Sequence, residues 1–119
     1  MIAVIFEATP AKDKWQDYLD IAERLRPELN KMEGFISIER FQSINNPDKV
    51  LSLSFWKDDQ SITHWRNLEQ HRLAQQQGRI SVFIDYRLRV AEVLRDYGLN
   101  ERELAPDDSK IFHQLKEAK

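Results

Sequence analysis

The sequence predicts an α+β fold in which two helices cover one face of a four-stranded antiparallel sheet, and three observations carry that prediction. Four apolar segments of strand length occupy residues 2–8, 35–41, 50–56 and 81–94. Two longer segments between them set apolar residues three and four apart among charged ones, the spacing of an amphipathic helix. The segments follow one another as strand, helix, strand, strand, helix, strand.

The first strand, IAVIFEA, is apolar on both faces, with Ile2, Val4 and Phe6 projecting one way and Ala3 and Ile5 the other. A strand with one wet face alternates, so both sides of this sheet are expected to be covered. From residue 12 to 32, Trp15, Tyr18, Leu19, Ala22, Leu25, Leu29 and Met32 recur at helical spacing. Pro27 lacks the amide N–H of the helical ladder and disfavours helical backbone at Arg26, so a kink or restart is expected there. Gly34 closes the helix. FISIERF and VLSLSFW flank the turn sequence INNPDK and are expected to pair as a hairpin. On the second of these strands Leu51, Leu53 and Phe55 share one face, and Ser52, Ser54 and Trp56 the other. Asp58 or Asp59 offers an N-cap to a helical region that ends near Gly78 and is open to a break at 67–70. The last strand sets Val82, Ile84, Tyr86, Leu88 and Val90 against Phe83, Asp85, Arg87 and Arg89.

This order is the ferredoxin-like βαββαβ arrangement. Two helices cover only one face of such a sheet, and a second copy of the chain is the simplest cover for the other, so a homodimer packed sheet to sheet is expected. Residues 1–97 read as one domain. Residues 98–119 form a polar extension, in which 107–117 is a short helix, an arm reaching over the partner, or a partly disordered tail.

Composition removes several classes of function. A length of 119 residues suits one domain, and 18 basic against 20 acidic side chains give a formal charge of -2, unlike a nucleic-acid-binding protein. No apolar run of membrane-spanning length and no leader pattern are visible, so neither a membrane nor export is expected and the cytoplasm is the default. The chain has no cysteine, which removes disulfides, thiolate nucleophiles and cysteine-ligated metals. Its three glycines form no phosphate-cradling loop, and no nucleophile-elbow motif occurs. His64 and His71 stand seven apart, about 10 Å along a helix, too far to share one ion.

Chemistry-bearing residues concentrate between Ser54 and Val90. Trp56 ends the third strand, Trp65, Arg66 and His71 lie on the second helical segment, and Arg79, Phe83 and Tyr86 lie at or within the last strand. Aromatic and polar groups at strand ends under a covering helix make a small-ligand pocket, and equally an ordinary core.

FISIERFQS, LSLSFW, a helix bearing Trp65 and His71, then GR and FIDYRLRV resemble, in that order, the antibiotic biosynthesis monooxygenase (ABM) family over about residues 1–97. The resemblance implies a dimeric α/β barrel and, for one branch, oxygenation of quinols or anthrones with neither metal nor flavin. In such a site His71 would act as base, since imidazole titrates near neutral pH. Arg66, Arg72 and Arg79 would hold the substrate anion, with Trp56, Trp65, Phe83 and Tyr86 around its rings. Tyr86 shares a strand face with Ile84 and Leu88 and is expected to be buried.

A haem-degrading branch of the family would need three markers. Trp65 matches the helix tryptophan, but the iron-ligating position falls near Gln75 and the asparagine position near Glu7 or Ala8. Two of three are absent, which leaves haem a minor alternative. A dimer that binds a small aromatic molecule without chemistry is the third reading. It differs from an oxygenase in needing no titratable group in the pocket.

Overall fold

The computed structural model describes residues 1–75 and 82–111, and for 69–75 the backbone alone. Strand β1 (Ile2–Pro10) leads to helix α1 (Trp15–Asn30), then to β2 (Phe35–Gln42), β3 (Val50–Trp56), helix α2 (Asp59–Gln75) and β4 (Phe83–Glu92). The strands lie in the order β2-β3-β1-β4, and every neighbouring pair is antiparallel. This is the predicted ferredoxin-like α+β sheet with helices.

Three local expectations change. Helix α1 does not restart at Pro27 but runs through it, and α2 is unbroken across 67–70. Pro27 is exposed on α1, so its ring meets no packed neighbour across the core. The third change concerns β4. Its ladder with β1 slips between Thr9 and Pro10, so that Thr9 faces Asp85 while Pro10 faces Phe83. The extra residue moves Phe83 onto the same face as Tyr86, against the simple alternation of the sequence.

Helix α2 starts where its chemistry directs. Asp58 Oδ1 accepts the Ser61 amide N–H at 2.9 Å and the Ser61 hydroxyl at 2.8 Å, an N-cap that satisfies one of the helix's free donors. Those bonds, the backbone one first, hold the Asp58 carboxyl below its ordinary value of 3.8. Gly34, at φ 86°, ends the turn after α1 and its carbonyl accepts the Lys57 N–H at 2.7 Å, which joins this turn to the start of α2.

Pairing register assigns the sheet faces. Under the helices lie Ile2, Val4, Phe6 and Ala8 of β1, with Val50, Ser52, Ser54 and Trp56 of β3. Val50, Ser52, Ser54 and Trp56 are all buried, while Leu51, Leu53 and Phe55 on the opposite face are only half-buried. The more polar face of β3 is therefore the covered one. The core divides into a cluster around Ala8, Tyr18 and Val50 and another around Leu29, Trp56 and Ile62.

Much of the rest stays open. Leu88 and Val90 on β4 are exposed, as are Leu94, Tyr97, Leu99, Leu104 and Ile111 beyond it. Residues 107–111 are helical, and the remainder of 107–117 lies outside the described residues. The radius of gyration is 17.9 Å. A compact domain of this length would have about 13.5 Å.

Candidate functional site

The sheet register builds a floor row by row. Arg40, Ser52, Phe6 and Leu88 stand side by side across the four strands, and the next row holds Ile38, Ser54, Val4 and Val90. Above these rows α1 contributes Tyr18, Ala22, Leu25 and Leu29, and α2 contributes Ile62, Trp65 and Arg66. Because serines and an alanine stand where a packed core would carry larger side chains, floor and roof do not meet, and a cavity of about 200 Å³ remains. It is smaller than the common drug-sized pocket of roughly 300–1,000 Å³, and so suits a small ligand.

Of the residues singled out in the sequence, Trp56, Trp65, Phe83 and Arg66 line this cavity. Trp56 is 1% exposed, and its indole N–H donates to Ser54 Oγ at 2.9 Å, so it offers a ligand only ring surface. Trp65 lies 6.4 Å from it, centroid to centroid, as the neighbouring wall. Phe83 reaches the cavity because of the slip in β4, and packs edge-on against Phe6 and Tyr18. Arg66 is an exposed lining residue.

Tyr86 departs from expectation. It is 62% exposed rather than buried, is absent from the lining, and stacks on Phe6 at 5.5 Å, because β4 is an edge strand of the sheet. His71 and Gln75 lie on the backbone of α2, and their side chains, with that of Arg72, fall outside the described residues. Arg79 lies outside them altogether.

Two lining residues had not been picked out from the sequence. Arg40 Nε donates to the Tyr18 hydroxyl at 3.1 Å, which joins β2 to α1 beside Ser52. The available signal was Arg40 lying in phase with Ile38 on β2, a charged residue on a face that also carries apolar ones. Among the described lining residues the titratable ones are Tyr18, Arg40 and Arg66, with no Asp, Glu or His.

On the opposite face Glu7 is held by Lys49 Nζ at 3.0 Å and Arg89 Nη1 at 3.1 Å. Lys49 first, then Arg89, keeps its carboxyl below the ordinary 4.5. Glu7 thus points away from the cavity, and Ala8 is buried without a polar side chain, so neither supplies the amide that a haem-degrading site would place there. Among the described residues no group of three or more His, Cys, Asp or Glu is placed to hold a metal ion, and no helix is long and apolar enough to cross a membrane.

A four-stranded antiparallel sheet under two helices, with an apolar cavity between the layers, is a ferredoxin-like α+β domain. Residues 1–77 match the sequence profile described as antibiotic biosynthesis monooxygenase, and the chain belongs to this ABM family. It is 46% identical over 101 residues to a protein of Pyricularia oryzae named jasmonate monooxygenase ABM, covering 85% of this chain and 47% of that one. The chain therefore spans about half the length of that relative. It is also 29% identical over 93 residues to the uncharacterised protein YqjZ of Bacillus subtilis, covering 78% and 79% of the two chains. Solved structures share the fold at low identity. One from Deinococcus radiodurans, of the same family, has a TM-score of 0.68 at 9% identity, covering 82% of this chain and 97% of that one. A conserved protein of Methanosarcina mazei has 0.64 at 22%, covering 76% and 90%.

Proposed function

We propose that the chain is a monooxygenase that takes a small quinol-like or polycyclic phenolic molecule into the cavity between sheet and helices. The observation that carries the reading is the cavity itself, walled by Trp56, Trp65 and Phe83, with cationic Arg40 and Arg66 among its lining. Membership of the family and the Pyricularia oryzae relative support the oxygenase class.

The chemistry fits a substrate that supplies its own electrons. Loss of a proton gives a stabilised anion that reduces dioxygen. One oxygen atom enters as a carbonyl in place of two hydrogens and the other leaves as water, so all four electrons come from the substrate. Neither metal nor flavin is required by that balance. A substrate hydroxylated at an unactivated carbon would instead need an external two-electron donor. The protein's part is to exclude water, hold the anion beside Arg66 and Arg79, and accept a proton at His71.

The test is oxygen uptake by purified protein over a panel of quinols and anthrones. Uptake should require the protein and fall at least tenfold in His71→Ala. Trp65→Phe should raise KM more than it lowers kcat, as expected of a wall. No protein-dependent uptake on any substrate would sink this reading.

A second reading, ligand binding without chemistry, is favoured by one observation: no ordinary base is among the described lining residues. Saturable ligand binding with no protein-dependent oxygen uptake would support it, whereas uptake unchanged in His71→Ala would remove only His71 as the base.

We further propose that the chain works as a homodimer in the cytoplasm, without a nucleic-acid partner. Ala3, Ile5, Leu51, Leu53 and Phe55 form an apolar centre on the face that no helix covers, and the apolar residues after β4 are exposed. Light scattering should return twice the chain mass of 14.2 kDa, and a monomer at micromolar concentration would overturn the assignment.

A further inference from the structure

We infer that the cavity selects small apolar molecules bearing a carboxylate, and that Arg40 is the residue that receives the carboxylate. The inference rests on the ligand-handling role proposed for this cavity and names the class of ligand more closely.

Arg40 projects from β2 onto the covered face, directly across from Ser52, and lines the cavity. A guanidinium is always charged and presents five N–H donors in a planar fork. Nε is engaged by the Tyr18 hydroxyl at 3.1 Å, and the same ring lies 5.8 Å from the guanidinium carbon. Tyr18 is itself buried, so this bond fixes the orientation of the head group from one side. No carboxylate among the described residues pairs with Arg40; Glu7 is already held by Lys49 and Arg89 on the other face. With Nε used, the pair of terminal nitrogens remains, and their end-on fork matches the two oxygens of a carboxylate better than the single oxygen of a phenolate.

The surroundings complete the specificity. Ser52 adds a hydroxyl in the same row, Ile38 shares the face of β2 with Arg40, and Phe6 and Leu25 are apolar parts of the same cavity lining. A half-buried cation lining an apolar cavity holds an anion more firmly than one on the open surface. A molecule acidic at one end and apolar at the other fills this arrangement; a neutral one leaves the guanidinium without an anion.

The experiment is calorimetric titration of the full chain with 4-phenylbutanoate and with the isosteric neutral 4-phenylbutanamide. Wild-type protein should prefer the acid by about 10- to 100-fold, the range of a charge-assisted bidentate pair. Arg40→Gln should abolish that preference while changing amide affinity less than about threefold. Arg40→Lys keeps the charge without the fork and should retain part of it. Tyr18→Phe removes the oxygen that orients Nε and should weaken acid binding by a smaller factor, which keeps the test decisive if Arg40→Gln does not fold. Equal binding of acid and amide, a preference that persists in Arg40→Gln, or no binding of either would overturn the inference. Acid binding that depends on Arg40 without oxygen uptake would remove the oxygenase reading alone. Uptake on neutral quinols, indifferent to Arg40→Gln, would remove this inference alone.

Discussion

Gly34→Ala should destabilise the protein by about 2–5 kcal/mol, a large part of the 5–15 kcal/mol that holds a typical domain together. Two independent causes add. At φ 86° a side chain costs about 1–2 kcal/mol, since Cβ crowds the following carbonyl. The added methyl would also overlap Ser61 Oγ and approach Ser61 Cβ to 2.8 Å. Ser61 cannot retreat easily, because its amide and hydroxyl are both bound to Asp58 at the start of α2. Chemical denaturation should show a lowered midpoint. The Ser61→Ala background should recover the Oγ part of the overlap and leave the Cβ approach and the backbone part, a coupling of about 1 kcal/mol or more in a double-mutant cycle. A Gly34→Ala variant with wild-type stability would show that this turn is not the close approach described.

The strand and helix order was legible in the chain because apolar period and turn chemistry agree over most of it. Period 2 marks β3 and β4, period 3.6 marks α1, and Asn46 and Pro47 mark the hairpin turn. Face assignment was less legible. Leu51, Leu53 and Phe55 look like the inward face of β3, yet Ser52, Ser54 and Trp56 are inward. A sheet that is also apolar on the face no helix covers breaks the rule that the apolar side is the covered one. Phe83 was misassigned for a different reason: one extra residue in β4, opposite the step from Thr9 to Pro10, turns Phe83 to the face of Tyr86, and within β4 itself no Gly or Pro signals the slip. The two tryptophans of the cavity wall were readable as large aromatics at a strand end and on a helix. Arg40 and Tyr18 were not, since their partnership spans 22 residues of sequence and exists only once β2 and α1 are packed.

Trp56→Ala should be the most damaging single change at the site, lowering stability by about 3–5 kcal/mol and the melting temperature by roughly 10 °C or more. Among the described residues Trp56 is the largest fully buried side chain, packed with Leu29 and Ile62, with Phe35 edge-on at 5.3 Å and Trp65 beside it. Truncation removes that apolar area, opens a void that Trp65 and Ile62 can only partly fill, and leaves the Ser54 hydroxyl without its donor. Trp56→Phe separates the effects: it keeps most of the wall and loses the N–H, so its cost should be near the 1–3 kcal/mol of one buried unsatisfied group plus a small void. Ligand binding supplies the contrast with Trp65. Trp65→Phe should alter affinity at little cost in stability because Trp65 is only half-buried, whereas Trp56 variants should lose stability first and affinity as a consequence. Thermal unfolding of the three variants decides this. Trp56→Ala melting within a few degrees of wild type would mean that the wall is held by the helices rather than by this indole.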